Sequence, residues 1–135
     1  MNAGENLSLT TAQQGIWLGQ RLDPDSPAYN VGGYVDLHGD LDEALLARAC
    51  TVVYGEADTL RLRVDPDGDR QLVADGPGRP LTVVDLTGEP DPAAAAVRHM
   101  RTDLTRPSDP SREPVFAPAL YRLAPDHRYL SLIHI

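Results

Sequence analysis

Four histidines, one cysteine and a run of alternating aspartates are the residues of this 135-residue chain whose types could do chemistry. Asp65, Asp67 and Asp69 imitate the start of a calcium loop, which needs Gly at its sixth position and Glu at its twelfth. Here Gly68 stands fourth and Gly76 twelfth, and strand-like stretches flank the run. The spacing therefore predicts a tight hairpin turn, because Asp, Pro and Gly favour turn geometry. His38, His99, His127 and His134 are scattered and lack metal-ligand spacing. His99 has charged neighbours on a predicted helix and reads as solvated. His127 falls in a predicted turn, and His38 ends a predicted strand before Gly39. Cys50 is the only cysteine in the sequence, which excludes an internal disulfide and a Cys-based zinc site. Set among Ala49, Val52 and Val53, it reads as a small buried hydrophobe. No G-x-S-x-G elbow, phosphate loop or dinucleotide glycine fingerprint occurs. Judged by chemistry alone, no nucleophile, base and orienter assemble.

The composition bounds the function further. Net charge is −8, with twenty acidic residues spread along the chain. Nucleic acid and anionic membrane surfaces reward clustered basic residues, so both are disfavoured as partners. All twelve basic residues are Arg, a bias expected of a GC-rich genome. A hydrophobic content of 41% reads as globular, and the length allows one domain or a lobe of a larger one. The N-terminus Met1–Glu5 is polar without a basic stretch, which argues against a signal peptide. No apolar run approaches the roughly 20 residues that span a bilayer. A cytoplasmic location is the expectation.

The elements follow from periodicity and punctuation. Thr10-Thr11-Ala12-Gln13 is a capping box that opens a helix to about Arg21, with Ala12, Ile16 and Trp17 or Leu18 as its buried stripe. Asp23-Pro24-Asp25-Ser26-Pro27 stops it. Asn30 to Leu37 alternates as a strand with Val31, Gly33, Val35 and Leu37 on one face. Asp40-Leu41-Asp42-Glu43 reads as a second capping box, before a helix carrying Leu41, Leu45, Ala49 and Val52 or Val53 at helical spacing. Thr59 to Val64 reads as a strand with Leu60, Leu62 and Val64 inward and Arg61 and Arg63 on the other face. The aspartate turn leads into Gln71-Leu72-Val73, and Leu81 to Leu86 is a further strand. Asp91 as N-cap with Pro92 following starts a third helix, which reaches Leu104. Val115–Leu123 and Arg128 onward form a hairpin joined by Ala124-Pro125-Asp126-His127. The order α-β-α-β-β-β-α-β-β implies an α/β or α+β lobe.

Three stretches together carry a resemblance. Leu9-Thr10-Thr11-Ala12-Gln13-Gln14-Gly15-Ile16-Trp17 resembles the opening motif of nonribosomal peptide synthetase condensation domains. Leu22 to Asn30 is similar to the proline-broken loop that follows it there. Ala57-Asp58-Thr59-Leu60-Arg61-Leu62-Arg63 is similar to the second motif, His-Glu-x-Leu-Arg-Thr-x-Phe, with Ala57 for the His and Asp58 for the Glu. The resemblance covers about Leu7 to Tyr129. It implies a chloramphenicol-acetyltransferase-like fold of two lobes with the active site between them, this chain being an incomplete N-terminal lobe. It also implies phosphopantetheine-bearing carrier domains as partners, together with a C-terminal lobe and downstream synthetase domains, and no cofactor bound by the chain itself. A siderophore-type product follows from the part of the family that the motifs resemble most. Family members join two carrier-bound thioester substrates through a His-His-x-x-x-Asp-Gly motif, whose second His orients or deprotonates the attacking amine. No residue here takes that role, His134 included. Arg61 matches the arginine that braces the Asp of that motif through a charge-assisted hydrogen bond.

On this reading residues 1–8 are a leader, 9–129 a partial condensation domain, and 130–135 either a truncated strand or a sequencing artefact. Ile occurs once before residue 133 and twice in the last three residues. Leu130–Ile135 also resembles one reading frame of a transposon end used in preparing sequencing libraries. The leading expectation is a truncated condensation domain, inert alone. The alternatives are a condensation-like module that only docks a carrier protein, and a free-standing acyltransferase of the same superfamily. The residues that follow Tyr129 in the gene separate them. An isolated lobe is expected to expose a sheet edge prone to aggregation.

Overall fold

The computed structural model describes residues 7–76 and 78–134. Residues 1–6 of the expected leader, and Ile135, lie outside the described residues. Leu7–Ser8, at the end of that leader, form a short strand, β1. Next come α1 (Thr11–Leu22), β2 (Val31–His38), α2 (Glu43–Glu56) and a 3-10 turn at Asp58–Arg61. β3 (Leu62–Val64), β4 (Arg70–Val73), β5 (Thr82–Asp85), α3 (Pro92–Leu104), β6 (Phe116–Ala124) and β7 (His127–His134) complete the chain.

The helix starts are local chemistry. Thr10 Oγ1 accepts from the Gln13 amide at 3.3 Å while Gln13 Oε1 accepts from the Thr10 amide at 2.8 Å, which closes the predicted box. In α3, Asp91 Oδ1 accepts from the Ala94 amide at 2.9 Å and Pro92 occupies the first turn, where no amide is missed. The second box is corrected: Asp42 alone caps α2, accepting from the Leu45 amide at 2.9 Å. Glu43 turns instead toward the sheet.

The strands form two sheets, β1-β4-β3 and β2-β7-β6-β5. In the smaller one β3 and β4 pair antiparallel around the aspartate turn. Asp65 Oδ1 accepts from the Asp67 amide at 2.9 Å, and Gly68 adopts φ +78°. A Cβ at Gly68 would come within 1.8 Å of Trp17 Nε1, so glycine serves both the turn and the approach of α1. In the larger sheet β5 and β6 are parallel, joined by α3, while β6–β7 and β7–β2 are antiparallel. α3 packs Ala95 and Ala96 against Leu86, Tyr121 and Leu123, which is the main apolar core. β6 is central and keeps Pro118, Leu120 and Tyr121 almost wholly buried.

Three burial expectations fail. The segment Thr59–Arg61 is not strand: the 3-10 turn takes it, the strand starts at Leu62, and Arg61 and Arg63 are both half-buried. On α1 Trp17 is buried as expected, but its buried companion is Gln20, whereas Ala12, Ile16 and Leu18 are exposed. On α2 the predicted stripe is largely exposed, with Leu45, Val52 and Val53 each more than half open and Tyr54 the buried anchor. Helical spacing identifies an apolar stripe but not the surface that covers it.

Candidate functional site

The two motif segments converge on one cavity of about 280 Å³. α1 contributes Gln13, Ile16 and Trp17, the second motif contributes Thr59 and Leu62, and His134 stands at the end of β7. The first wall is held by a reciprocal amide pair. Gln13 Nε2 donates to Gln71 Oε1 at 2.8 Å and Gln71 Nε2 donates to Gln13 Oε1 at 3.1 Å. Gln71 also donates to the Ser8 carbonyl at 3.2 Å, which joins β1, α1 and β4. The proline-broken loop is tied back by buried Gln20, whose Nε2 donates to the carbonyls of Pro24 and Ser26. Asn30 Nδ2 caps the end of α3 by donating to the Leu104 and Arg106 carbonyls, both at 2.8 Å. Among the described residues that line the cavity, His134 is the only titratable group. The cavity itself therefore holds no complete acid–base pair.

Arg61, the last residue of the 3-10 turn, does not itself line the cavity, but it stands in the chain between Thr59 and Leu62, which do. Its Nη2 donates to Asp58 Oδ1 at 2.6 Å and its Nη1 to the Ala74 carbonyl at 3.3 Å. The Nε–H is buried and has no partner among the described residues. A buried charged donor left unmatched is costly, so a native acceptor at that position would be strongly favoured.

Two clusters escaped the sequence reading. In the first, Glu43 accepts from Arg122 Nη2 at 2.5 Å, Arg122 Nε at 3.0 Å and Arg128 Nε at 2.9 Å. The Arg122 hydrogen bonds chiefly hold the Glu43 carboxyl at about 2, and Glu43 with Asp85 raises the Arg122 pKa further. Asp85 takes Arg122 Nη1 at 2.6 Å. In the second cluster, His38 and His127 meet across β2 and β7 beside Asp36. Asp36 and His127 are 91 positions apart, so no spacing rule could pair them. Only the strand register shows it. Cys50 is half-buried and desolvation raises its thiol pKa, in keeping with an inert small hydrophobe. His99 is exposed, as expected, though its ring lies 5.9 Å from that of Tyr121. No helix among the described residues is long and apolar enough to cross a membrane.

The comparisons agree with this geometry. A starter condensation domain of rhizomide synthetase RzmA superposes with a TM-score of 0.90 at 37% identity, over 97% of this chain and 32% of that one. The first condensation domain of the CDA synthetase gives 0.85 at 28% identity, over 98% of this chain and 36% of that one. The isonitrile lipopeptide synthase of Streptomyces coeruleorubidus is 46% identical over 122 residues, or 87% of this chain and 8% of that protein. The dimodular nonribosomal peptide synthase of Bacillus subtilis is 40% identical over 121 residues, 88% of this chain and 5% of its own length. Enterobactin synthase component F of Escherichia coli K12 is 38% identical over 103 residues, 74% of this chain and 8% of that protein. The chain thus spans under a tenth of these curated relatives and about a third of the solved domains. The family model for the condensation domain matches residues 4–134. This chain, with its mixed α/β, chloramphenicol-acetyltransferase-like fold, belongs to the condensation domain family of nonribosomal peptide synthetases.

Proposed function

We propose that this chain is the N-terminal lobe of a condensation domain whose parent synthetase joins two carrier-bound thioester substrates. In that reaction the acceptor amine nitrogen attacks the donor thioester carbonyl. A C–N bond forms, the C–S bond breaks, and the amine proton is lost as the carrier thiol is released. Phosphopantetheine arrives on the carrier proteins as the handle of each substrate. The parent is read as a cytoplasmic enzyme of secondary metabolism, and a siderophore is the product class that its relative enterobactin synthase suggests. The lobe proper is set at residues 9–129.

The convergence of both motifs on one cavity beside Arg61 carries this reading. Arg61 is read as a positioning residue: its unmatched Nε–H would be the donor that braces the Asp of a His-His-x-x-x-Asp-Gly motif, whose second His would act on the amine. Its partner Asp58 keeps the guanidinium oriented. The test takes the gene beyond codon 129 and assays the parent with loaded donor and acceptor carriers. An amide product from a parent bearing the motif supports the reading. A replaced motif and no product would favour a docking module, and an ester formed by attack of a hydroxyl acceptor on a CoA or carrier thioester, with release of the thiol, would favour a free-standing acyltransferase. In an active parent, Arg61→Ala should lower kcat by about 10²-fold with carrier KM unchanged, because the catalytic loop loses its alignment. An unchanged kcat would remove Arg61 from the site.

A further inference from the structure

β2 and β7 run antiparallel in a register that sets His38 opposite His127. Residues two apart on a strand share a face, so Asp36 joins His38 on the same side of β2. Both imidazoles bring Nε2 to one carboxylate oxygen: His127 at 2.7 Å and His38 at 3.1 Å from Asp36 Oδ1. The rings stack with centroids 4.2 Å apart and planes 18° apart. The strand ends are locked by the Gly39 amide, which donates to the Asp126 carbonyl at 2.8 Å, with Gly39 at φ +106°. Tyr129 sets its ring edge-on to His127 at 5.4 Å. The backbone that carries the trio is therefore fixed, while His38 is 69% and Asp36 47% exposed and free to adjust.

We propose that Asp36, His38 and His127 form a site for a zinc-class divalent metal ion. Two imidazole nitrogens and one carboxylate oxygen are a donor set suited to zinc, with water at the open fourth position. One ligand atom from each residue lies within 4.8 Å of the others. Tetrahedral ligands at zinc's usual bond lengths stand about 3.3 Å apart, so the His127 and His38 nitrogens, at 2.7 and 3.1 Å from Asp36 Oδ1, need to draw back from it by under about 1 Å. The rings must splay from their stack to aim lone pairs at one point, which their exposure permits. A dication there would also relieve the sharing of a single carboxylate oxygen by two imidazoles. Bound metal would clip edge strand β2 to β7 and stabilise the folded state by mass action. The site stands apart from the Arg61 cavity, uses no residue beyond Tyr129, and is independent of the condensation reading.

Calorimetric titration of the tag-free full chain with zinc chloride reads the site, with cobalt(II) absorption reporting its coordination. One ion per chain is expected, together with a higher thermal midpoint. His38→Ala and His127→Ala should each weaken zinc binding at least about 10-fold, and His99→Ala should leave it unchanged. Circular dichroism checks that each variant is folded. A variant-free arm uses diethyl pyrocarbonate, from which zinc should shield His38 and His127 but not His99. Unchanged affinity in the doubly substituted His38→Ala/His127→Ala chain, or no shielding of the pair, would overturn the site.

Discussion

α3 and α2, of 13 and 14 residues, are held to the same sheet by opposite means. α3 sinks Ala95 and Ala96, at 2% and 0% exposure, into a cluster with Leu86, Tyr121 and Leu123. Its small side chains let the helix approach β6 closely, and dispersion and area burial do the holding. α2 leaves Leu45, Val52 and Val53 largely open and is tied at its two ends. At the first end Glu43 bridges Arg122 and Arg128. At the other, Tyr54 donates to the Phe116 carbonyl at 2.6 Å, and burial pushes its phenol up to about 12. Arg122 and Arg128 are register partners on β6 and β7, so two like charges face each other across the ladder. Such a pair is destabilising by itself, and the Glu43 carboxylate makes it favourable. Apolar packing spreads its stabilisation over many atoms, whereas α2 depends on a few polar contacts that one proton or one truncation can remove.

The difference can be broken at the α3 end first. Tyr121→Ala removes a ring that is 1% exposed and should cost about 3–5 kcal/mol, read as the shift in urea midpoint. A loss below 1 kcal/mol would mean that the α3 cluster is not the core. Glu43→Gln should cost about 1–3 kcal/mol near neutral pH, since both arginines lose a charged acceptor. That contribution depends on pH in a definite direction. The folded Glu43 carboxyl titrates at about 2 against an ordinary 4.5, so the unfolded chain takes up its proton first. The stabilisation is complete above about pH 5 and is lost as pH falls toward 2. The gap between parent and Glu43→Gln in chemical denaturation should therefore narrow at pH 3; a constant gap would refute the ion-pair account of α2.

Smaller effects sharpen the same contrast. Tyr54→Phe keeps the packing of the ring and removes its hydrogen bond, with an expected loss of about 1 kcal/mol. Leu45→Ser or Val53→Ser should change stability by less than about 0.5 kcal/mol, because each side chain is more than half exposed. A cost above about 1 kcal/mol in equilibrium unfolding would show that the stripe is packed in solution. At the edge of the larger sheet, Val35→Lys should leave stability nearly unaltered while raising the concentration at which light scattering detects association. Equal association in both chains would place the sticky surface elsewhere.

Sequence and structure agree wherever the determining chemistry is local. Thr10 with Gln13, and Asp91 with Pro92, define helix starts because the groups that meet are three residues apart or fewer. The aspartate run is a turn for the same reason. Disagreement begins where local signals compete or where partners are distant. Thr59–Arg61 alternates like a strand, yet the close of α2 at Ala57 leads it into a 3-10 turn, with Arg61 drawn to Asp58. Glu43 reads as part of a cap and is instead the acceptor for two arginines some 80 positions away. Of the candidate site, Arg61 and the motif segments were legible from the resemblance. The buried Nε–H of Arg61 and the shared cavity were not, since both depend on how α1, β3 and β7 come together.

The amino-acid sequence by itself determined the punctuation of this protein: its capped helices, its turns, the β6–β7 hairpin and the motifs that place it in a family. These depend on backbone donors, proline, glycine and short side chains acting within a few residues. The tertiary structure alone decided which helix faces are covered, which arginines Glu43 bridges, and that His38, His127 and Asp36 share one surface. Each depends on strand register and sheet order, and a register shifted by one residue would turn the strand side chains among them, the two arginines and the Asp36–His38–His127 trio, to the opposite face.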